Sequence, residues 1–416
     1  MKKSLLLTFV LLMVLTAFSS VFAEEITVVT SYGGDDGNRS NYEAAVAAYE
    51  EATGNKVNDE SATSNEEWKA KIMTDFETGA EPDVLFFFNG VDSNPLVEAG
   101  KVVSVDEIRE TYPDYAANMK DSMLGASPVD GKNSSIPVNG YWEGLFVNKN
   151  VLEAAGVEVP GADYTWEQFL SDCQKIKDAG YTPIAVSLQE VPHYWFEFTV
   201  YNHGSVANHL ALPASSADEA GQKWVAGLED IKTLYESGFL PANTLTATDA
   251  ETFQLMADDK AAFAIDGSWK IGWFQSNVAD INDYTVTYVP GNGDRAATDI
   301  IGGLSMGYYI PRKAWDDAEK QKAAVDFVGL MTSDDVVSTF GATAVTALKN
   351  GTTPPTDADA LVTAALEMTK GSTGIAPAVQ DSLSSEARAD LFANIKNIVT
   401  GKITAAEAVD AAIALN

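Results

Sequence analysis

Cysteine is nearly absent. Cys173 stands alone in 416 residues, so no internal disulfide can form and stability must come from packing, even in an oxidising compartment. The lone thiol lies in a helical pattern and reads as a small buried hydrophobe. Histidine is almost as scarce: His193, His203 and His209 lack metal-like spacing, and beside one cysteine they make no zinc site. Basic residues are outnumbered, 27 lysines and arginines against 60 acids, and the net charge of −33 repels phosphate backbones and anionic lipid. That disfavours nucleic acid and membrane surfaces and suits a neutral or cationic ligand. Beyond the N-terminal stretch no apolar run approaches the about 20 residues a membrane span needs, so no membrane insertion is expected. No phosphate-cradling loop occurs, and Gly291-Asn292-Gly293 runs into Asp294-Arg295-Ala296 instead of completing a dinucleotide fingerprint, so no cofactor is expected. Internal repeats, low-complexity segments and long Pro/Gly/Ser linkers are missing as well.

Two pattern matches dissolve under the same scrutiny. Gly303 to Gly307 reads GLSMG, the serine-hydrolase elbow, yet in that fold the histidine follows the serine and here all three precede it. Two glycines letting backbones approach at an interdomain strand is the better reading. Asp36, Asn38 and Ser40 start a calcium-loop alternation, but Asn41 stands where glycine is required and Ala47 where the bidentate glutamate belongs. No metal is expected.

What is present begins with Lys2 and Lys3, an apolar stretch from Leu5 to Phe18, and the small-residue end Val21-Phe22-Ala23. Together they read as a signal peptide over residues 1–23, cut after about Ala23 with no anchor cysteine at the cut. The remainder has room for two or three domains at ~150 residues each. Short β-rich runs alternate with longer helical patterns, which predicts an α/β chain. Strands are expected at Ile26–Ser31, Val84–Phe88, Ile136–Val138, Gly144–Asn148, Pro183–Ser187, Ala261–Ile265, Tyr284–Val289 and Met306–Ile310, and a helix at Tyr42–Ala52. Capping boxes at Ser64/Glu67, Thr165/Gln168, Ser216/Glu219, Thr248/Glu251 and Thr404/Glu407 mark further helix starts. If there are two lobes, the chain crosses between them near Val138–Trp142, Ile301–Ser305 and Asn350–Pro355.

Carboxylates and aromatic rings recur together at strand ends and turns. Asp266 and Trp269 follow one strand, Tyr32, Asp35, Asp36 and Asn38 another, and Tyr141, Trp142 and Glu143 sit at a proposed crossing. Glu190, His193, Tyr194 and Trp195 form a fourth group. Asn89 and Asp92 lie past Val84–Phe88, where α/β sheets bind ligands. An acid accepts hydroxyl hydrogen bonds and an indole offers a flat apolar face, the two surfaces a sugar displays. Each group also has a plainer reading: a glycine-rich turn at Gly33–Asn38, core packing for Trp269, Trp273, Trp195 and Phe198, and a structural hydrogen bond for His193.

The order of several stretches resembles the family-1 extracellular solute-binding proteins of ABC sugar importers. The carriers are the Gly-Asp turn Gly33 to Asn38, TGAEPDVLFF at Thr78–Phe87, GLFVNKNVLEAAGV at Gly144–Val157, TWEQF at Thr165–Phe169, LQE at Leu188–Glu190, KAAFAIDGSW at Lys260–Trp269 and GATAVTALK at Gly341–Lys349. The resemblance implies a two-lobe periplasmic-binding-protein-like fold of type II, each lobe a mostly parallel sheet flanked by helices, joined by three crossings. It places one lobe at 24–140 with 304–350 and the other at 141–303 with 355–416. By position, Asp36 resembles the hydroxyl-binding acid, Tyr141 a ligand position at the first crossing, Glu190 a second-lobe carboxylate and Trp269 the stacking indole; Gly303 lies at a crossing. Tyr141 stands where maltodextrin binders carry an acid. The implied function is that of a monomeric, non-enzymatic periplasmic carrier that delivers a mono- or oligosaccharide to ABC permease subunits. The rivals are a secreted glycoside hydrolase, which also combines carboxylates with sugar-stacking rings, and a carrier for a cationic or peptide solute.

Overall fold

The computed structural model describes residues 23–34, 36–127, 129–293, 295–353 and 355–416, so Asp35 and the expected leader up to Phe22 lie outside the described residues. In chain order the strands are β1 (Glu25–Val29), β2 (Lys56–Asp59), β3 (Val84–Phe88), β4 (Gly125–Ala126), β5 (Asn133–Ser135), β6 (Tyr141–Asn148), β7 (Thr182–Ile184), β8 (Ala261–Gly267), β9 (Tyr284–Thr287), β10 (Asp299–Gly303), β11 (Met306–Tyr309) and β12 (Gly374–Ala376).

One sheet has the order β11-β3-β1-β2. β1 runs parallel to β2 and β3, and β11 closes the edge antiparallel to β3. The VLFFF run of β3 has no polar face because helices cover both sides. Phe86 enters a core with Tyr42, Tyr308 and Phe327, while Phe87, one residue on and so on the opposite face, enters another with Trp68, Ile72 and Phe76.

The second sheet has the order β12-β10-β6-β8-β7, with β9 also paired to β6. The expectation of a mostly parallel sheet is met in the first lobe and qualified here: β6 runs antiparallel to β8, β9 and β10, and only the β7–β8 and β10–β12 ladders are parallel. Alternation along β6 again feeds two cores. Leu145 and Val147 meet Phe169, Trp195 and Trp224, whereas Trp142 and Phe146 meet Phe274, Tyr284 and Leu361.

Helix starts follow local chemistry. Thr165, Thr248 and Thr404 form complete capping boxes with Gln168, Glu251 and Glu407. At the other two expected boxes the helix starts later, with Asn65 and Asp218 as caps in place of Ser64 and Ser216, accepting from Trp68 N and Gly221 N. The expected helix at Tyr42–Ala52 runs from Arg39 to Thr53 and stops at Gly54, φ 77°.

The stretches linking the sheets come together. Gly140, ahead of β6, donates its N–H to the Val345 carbonyl at 2.7 Å. A Cβ on Gly140 would lie 2.5 Å from that carbonyl and 2.6 Å from the Gly303 carbonyl, so only glycine lets the three backbones meet. Gly303 itself, between β10 and β11, pairs with Tyr141 and has φ 155°. A later passage runs from Lys349, whose N–H is held by Asn118, to the helix Ala360–Gly371, whose Leu361 and Met368 pack beside β9. Among the described residues no helix is long and apolar enough to cross a membrane.

Candidate ligand cleft between the two sheets

β8 ends in Asp266-Gly267, and the chain turns so that the Trp269 indole lies flat on Gly267, where a Cβ would run into the ring. The indole centroid is 6.2 Å from Tyr141 at the start of β6 and 6.1 Å from Tyr194 in the first turn of the helix His193–Tyr201. Three aromatic rings from three elements therefore line one wall, all only partly buried.

Asp266 sits beneath them, 1% exposed. It accepts from Gly267 N at 2.7 Å and from the Trp269 side chain, and Lys270 Nζ is 3.5 Å away. Burial outweighs these partners and pushes its carboxyl up to about 7. Lys270 bonds Asp249 at 2.9 Å as well, and the two acids hold its ammonium firmly charged.

The opposite wall comes from the turn after β1. Asp36 accepts from Asn38 N at 2.8 Å and is pushed up to about 6 by burial, with Lys270 pulling the other way across the gap. Next to it the lobes touch backbone to backbone: a Cβ on Gly37 would strike the Trp269 carbonyl, and one on Gly272 would strike the Gly37 carbonyl.

A second acid group lies behind Tyr141. Glu143 and Glu197 meet carboxyl to carboxyl, and Gln380 Nε2 donates to Glu197 Oε1 at 2.8 Å. Burial raises both glutamates well above the ordinary carboxylate range; Glu197 and Asp381 raise Glu143 further, and Asp381 raises Glu197, which its hydrogen bonds to Gln380 and Glu143 partly offset. Burial also lifts the neighbouring Asp381, to about 6.

A charged cluster spans the gap on the other side. Asp92 Oδ1 accepts from Arg388 at 2.7 Å and from Ser385 Oγ at 3.2 Å, while its Oδ2 lies 3.2 Å from Lys69. Arg388 also pairs with Glu66 at 3.0 Å. Burial alone would raise the Asp92 carboxyl, but Lys69 and Arg388 hold it below its usual value.

The structure thus brings Asp36, Tyr141, Tyr194, Asp266, Trp269 and Gly303 to one place and assigns other duties to the remaining residues singled out by sequence. Trp142, 1% exposed, is a core residue whose indole N–H bonds Thr343; Trp195, 2% exposed, stacks on Phe169. Tyr32 is buried, 5.0 Å from Phe86, its hydroxyl donating to Asn139. Periodicity marks these rings as apolar without telling core from cleft. Asn89 serves Ser135 and Tyr309, and Asp92 is committed to the ion cluster. Asn38 precedes the helix Arg39–Thr53 and accepts from Asn41, and Glu190 is an exposed residue that accepts from Asp249 N. His193 packs between Tyr194 and Phe392, its imidazole driven down to about 3 by burial beside Lys69 and Arg388.

Sequence reasoning missed Lys270, Glu197, Gln380, Asp381, Arg388 and the Gly37–Gly272 contact. Two signals were readable: Lys270 stands four residues after Asp266, and Glu197 is the single acid in the apolar helix HYWFEFTVY. Among the described residues no group of three or more histidine, cysteine or acidic side chains is placed to hold a metal.

Residues 34–337 match the family described as bacterial extracellular solute-binding protein, and the chain belongs to that family. It is 25% identical over 248 residues to the melibiose/raffinose/stachyose-binding protein MelE of Bacillus subtilis (strain 168), a stretch covering 53% of this chain and 54% of that protein. It is 22% identical over 269 residues to the sn-glycerol-3-phosphate-binding periplasmic protein UgpB of Rhizobium meliloti (strain 1021), covering 63% and 60% of the two chains. The matches thus span little more than half the length of these curated relatives. Among solved structures, a chitin oligosaccharide binding protein superposes with TM-score 0.80 at 19% identity, covering 94% of this chain and 98% of that one. RafE in complex with raffinose does so with TM-score 0.72 at 18% identity, over 94% and 98%. At these identities the superpositions establish the two-lobe α/β fold.

Proposed function

We propose that this chain is the ligand-capturing component of an ABC importer, that it takes up a mono- or oligosaccharide between its lobes, and that it hands the sugar unchanged to membrane permease subunits. The observation that carries the reading is the ring wall of Tyr141, Tyr194 and Trp269, set beside Asp266 and faced by Asp36. Ring faces take the C–H surface of a pyranose and the carboxyls accept its hydroxyls. The melibiose/raffinose/stachyose-binding protein MelE and the complex of RafE with raffinose support the same ligand class.

In this reading residues 24–140 with 304–350 form one jaw and 141–303 with 355–416 the other. A guest touching both jaws stabilises the closed form over the open one, and only that difference drives closure. The carrier works as a monomer in the periplasm, and no bond of the sugar is broken.

A thermal-shift screen over mono- and oligosaccharides tests this. A true ligand at a hundred times its Kd adds ~2.7 kcal/mol of stability. The recovered sugar should be chemically unchanged; turnover would favour the hydrolase. Trp269→Ala should weaken the sugar found in this way at least tenfold by calorimetry without unfolding the chain, and unchanged affinity would remove Trp269 from the site.

A further inference from the structure

Three hydrogen-bond acceptors without donors lie together behind Tyr141. Glu143 Oε2, Glu197 Oε2 and Gln380 Oε1 receive no donor from any other group, the two glutamates being joined only through a proton held between their carboxyls, and their residues are 3%, 0% and 4% exposed. They belong to one contiguous group, because Gln380 spends its amide N–H on Glu197 and the two glutamates meet through their carboxyls. The nearby cations are committed elsewhere: Lys270 to Asp249 and Asp266, Lys69 and Arg388 to Asp92 and Glu66.

A buried acceptor with no donor costs free energy, so the complementary ligand group is one rich in donors. A hydroxyl supplies a single O–H and brings two lone pairs of its own. An acetamide supplies one N–H and sets a carbonyl oxygen against the three acceptors. An ammonium supplies three N–H donors and no acceptor, and by displacing the proton held between the two carboxyls it meets three oxygens. Its charge is met by the two glutamates and by Asp381, which faces both Tyr141 and Glu143. The surrounding rings are suited as well, since the faces of Tyr141, Tyr194 and Trp269 attract a cation.

We propose that the saccharide held in this cleft carries a free, protonated amine, and that Glu143, Glu197 and Gln380 receive the ammonium beneath Tyr141. The proposal rests on the saccharide reading above and narrows it to basic aminosugars, with an amine in place of one hydroxyl and no acyl group on it. Glu143 and Glu197 are then specificity-determining residues, because they separate an amine from a hydroxyl at one position of the ring. The Gln380 amide orients Glu197 and adds the neutral third acceptor.

Calorimetric titration of the full chain at pH 7 with matched triplets provides the test. Each triplet holds glucose or galactose, or its β-1,4-linked disaccharide, with a hydroxyl, an amine or an acetamide at C2. Within the triplet that binds, the amine should be at least tenfold tighter than both others. Glu197→Gln and Glu143→Gln, with folding checked by melting temperature, should lose that preference, the amine member weakening at least tenfold more than the hydroxyl member. If the hydroxyl or acetamide member binds as tightly as the amine to the unaltered protein, the ammonium site is overturned while the sugar-carrier reading stands. If no member binds and no sugar in the broader screen does either, the sugar-carrier reading falls and this proposal with it. Retention of the amine preference by both variants would overturn the assignment to these two glutamates.

Discussion

Asp266 is buried and Asp36 and Asp381 are half-buried, and their chemistry at neutral pH follows from those surroundings. Each has a folded-state pKa of about 6 or 7 against an ordinary 3.8, with burial as the largest cause. Below 3.8 the carboxyls are protonated in folded and unfolded chains alike and contribute nothing to the pH dependence. As pH climbs from there the unfolded chain releases protons that the fold retains, so stability falls until pH passes the folded-state value and then stays lower. The unliganded protein should therefore lose melting temperature between about pH 4 and pH 7, and Asp381→Asn should flatten part of that decline in scanning calorimetry. An identical slope in the variant would show that Asp381 ionises normally. At this scale the sequence was partly legible. Asp36, Asp266 and Trp269 flank turns after apolar strands and could be picked out from their neighbours, whereas Asp381 acquires its meaning only from the groups the fold sets around it.

Among the elements, the helix Lys270–Asn277 carries a backbone contact with the turn after β1. Gly272 sits inside it, where glycine is ordinarily unfavourable, because its missing side chain lets the Gly37 carbonyl pack on the helix backbone. Gly272→Ala separates two effects that usually travel together. Alanine should improve the helix by up to ~1 kcal/mol, leaving the melting temperature of the unliganded chain unchanged or raised. The added methyl should hold the lobes apart and weaken ligand binding at least tenfold in titration; unchanged affinity would show that this contact is not part of closure. Apolar runs such as β3 and the Ala261–Ile265 part of β8 were legible because burial on both faces leaves no polar residue in them. β2, with alternate residues exposed, β10, which ends in glycines, and the three-residue β12 left no such trace and were missed. Three capping boxes were readable for the same local reason, and two shifted because a neighbouring Asn or Asp competed for the same N–H groups.

Across the whole molecule, Arg388 joins segments that belong to different jaws of the proposed carrier. It reaches from the helix Ser385–Val399 to Glu66 and Asp92 on the other lobe, and with Lys69 it balances two acids that would otherwise be stranded on closure. Breaking one partner of a buried pair costs about 3–5 kcal/mol, and here that cost falls on the closed form, since separated lobes leave the groups to water. Arg388→Met should weaken ligand binding at least tenfold and leave the ligand-saturated protein more extended than the unaltered one in solution scattering. Equal dimensions and equal affinity would mean that the cluster does not latch the jaws. Such a partnership had no signature in the chain: Arg388 and Asp92 are 296 positions apart, and Gln380 and Glu197 are 183 apart. The sequence by itself determined the alternating strands and helices, the helix starts at Thr165, Thr248 and Thr404, and the placing of aromatic and acidic residues near strand ends, because each depends on residues within a turn or two of one another. Only the tertiary structure decided that Trp142, Trp195 and Tyr32 are core, that Asp92 belongs to an ion cluster with Lys69 and Arg388, and that Glu143, Glu197 and Gln380 share one buried corner. A side chain's type records what it can bond to, and the packing of distant segments settles which partner comes within reach.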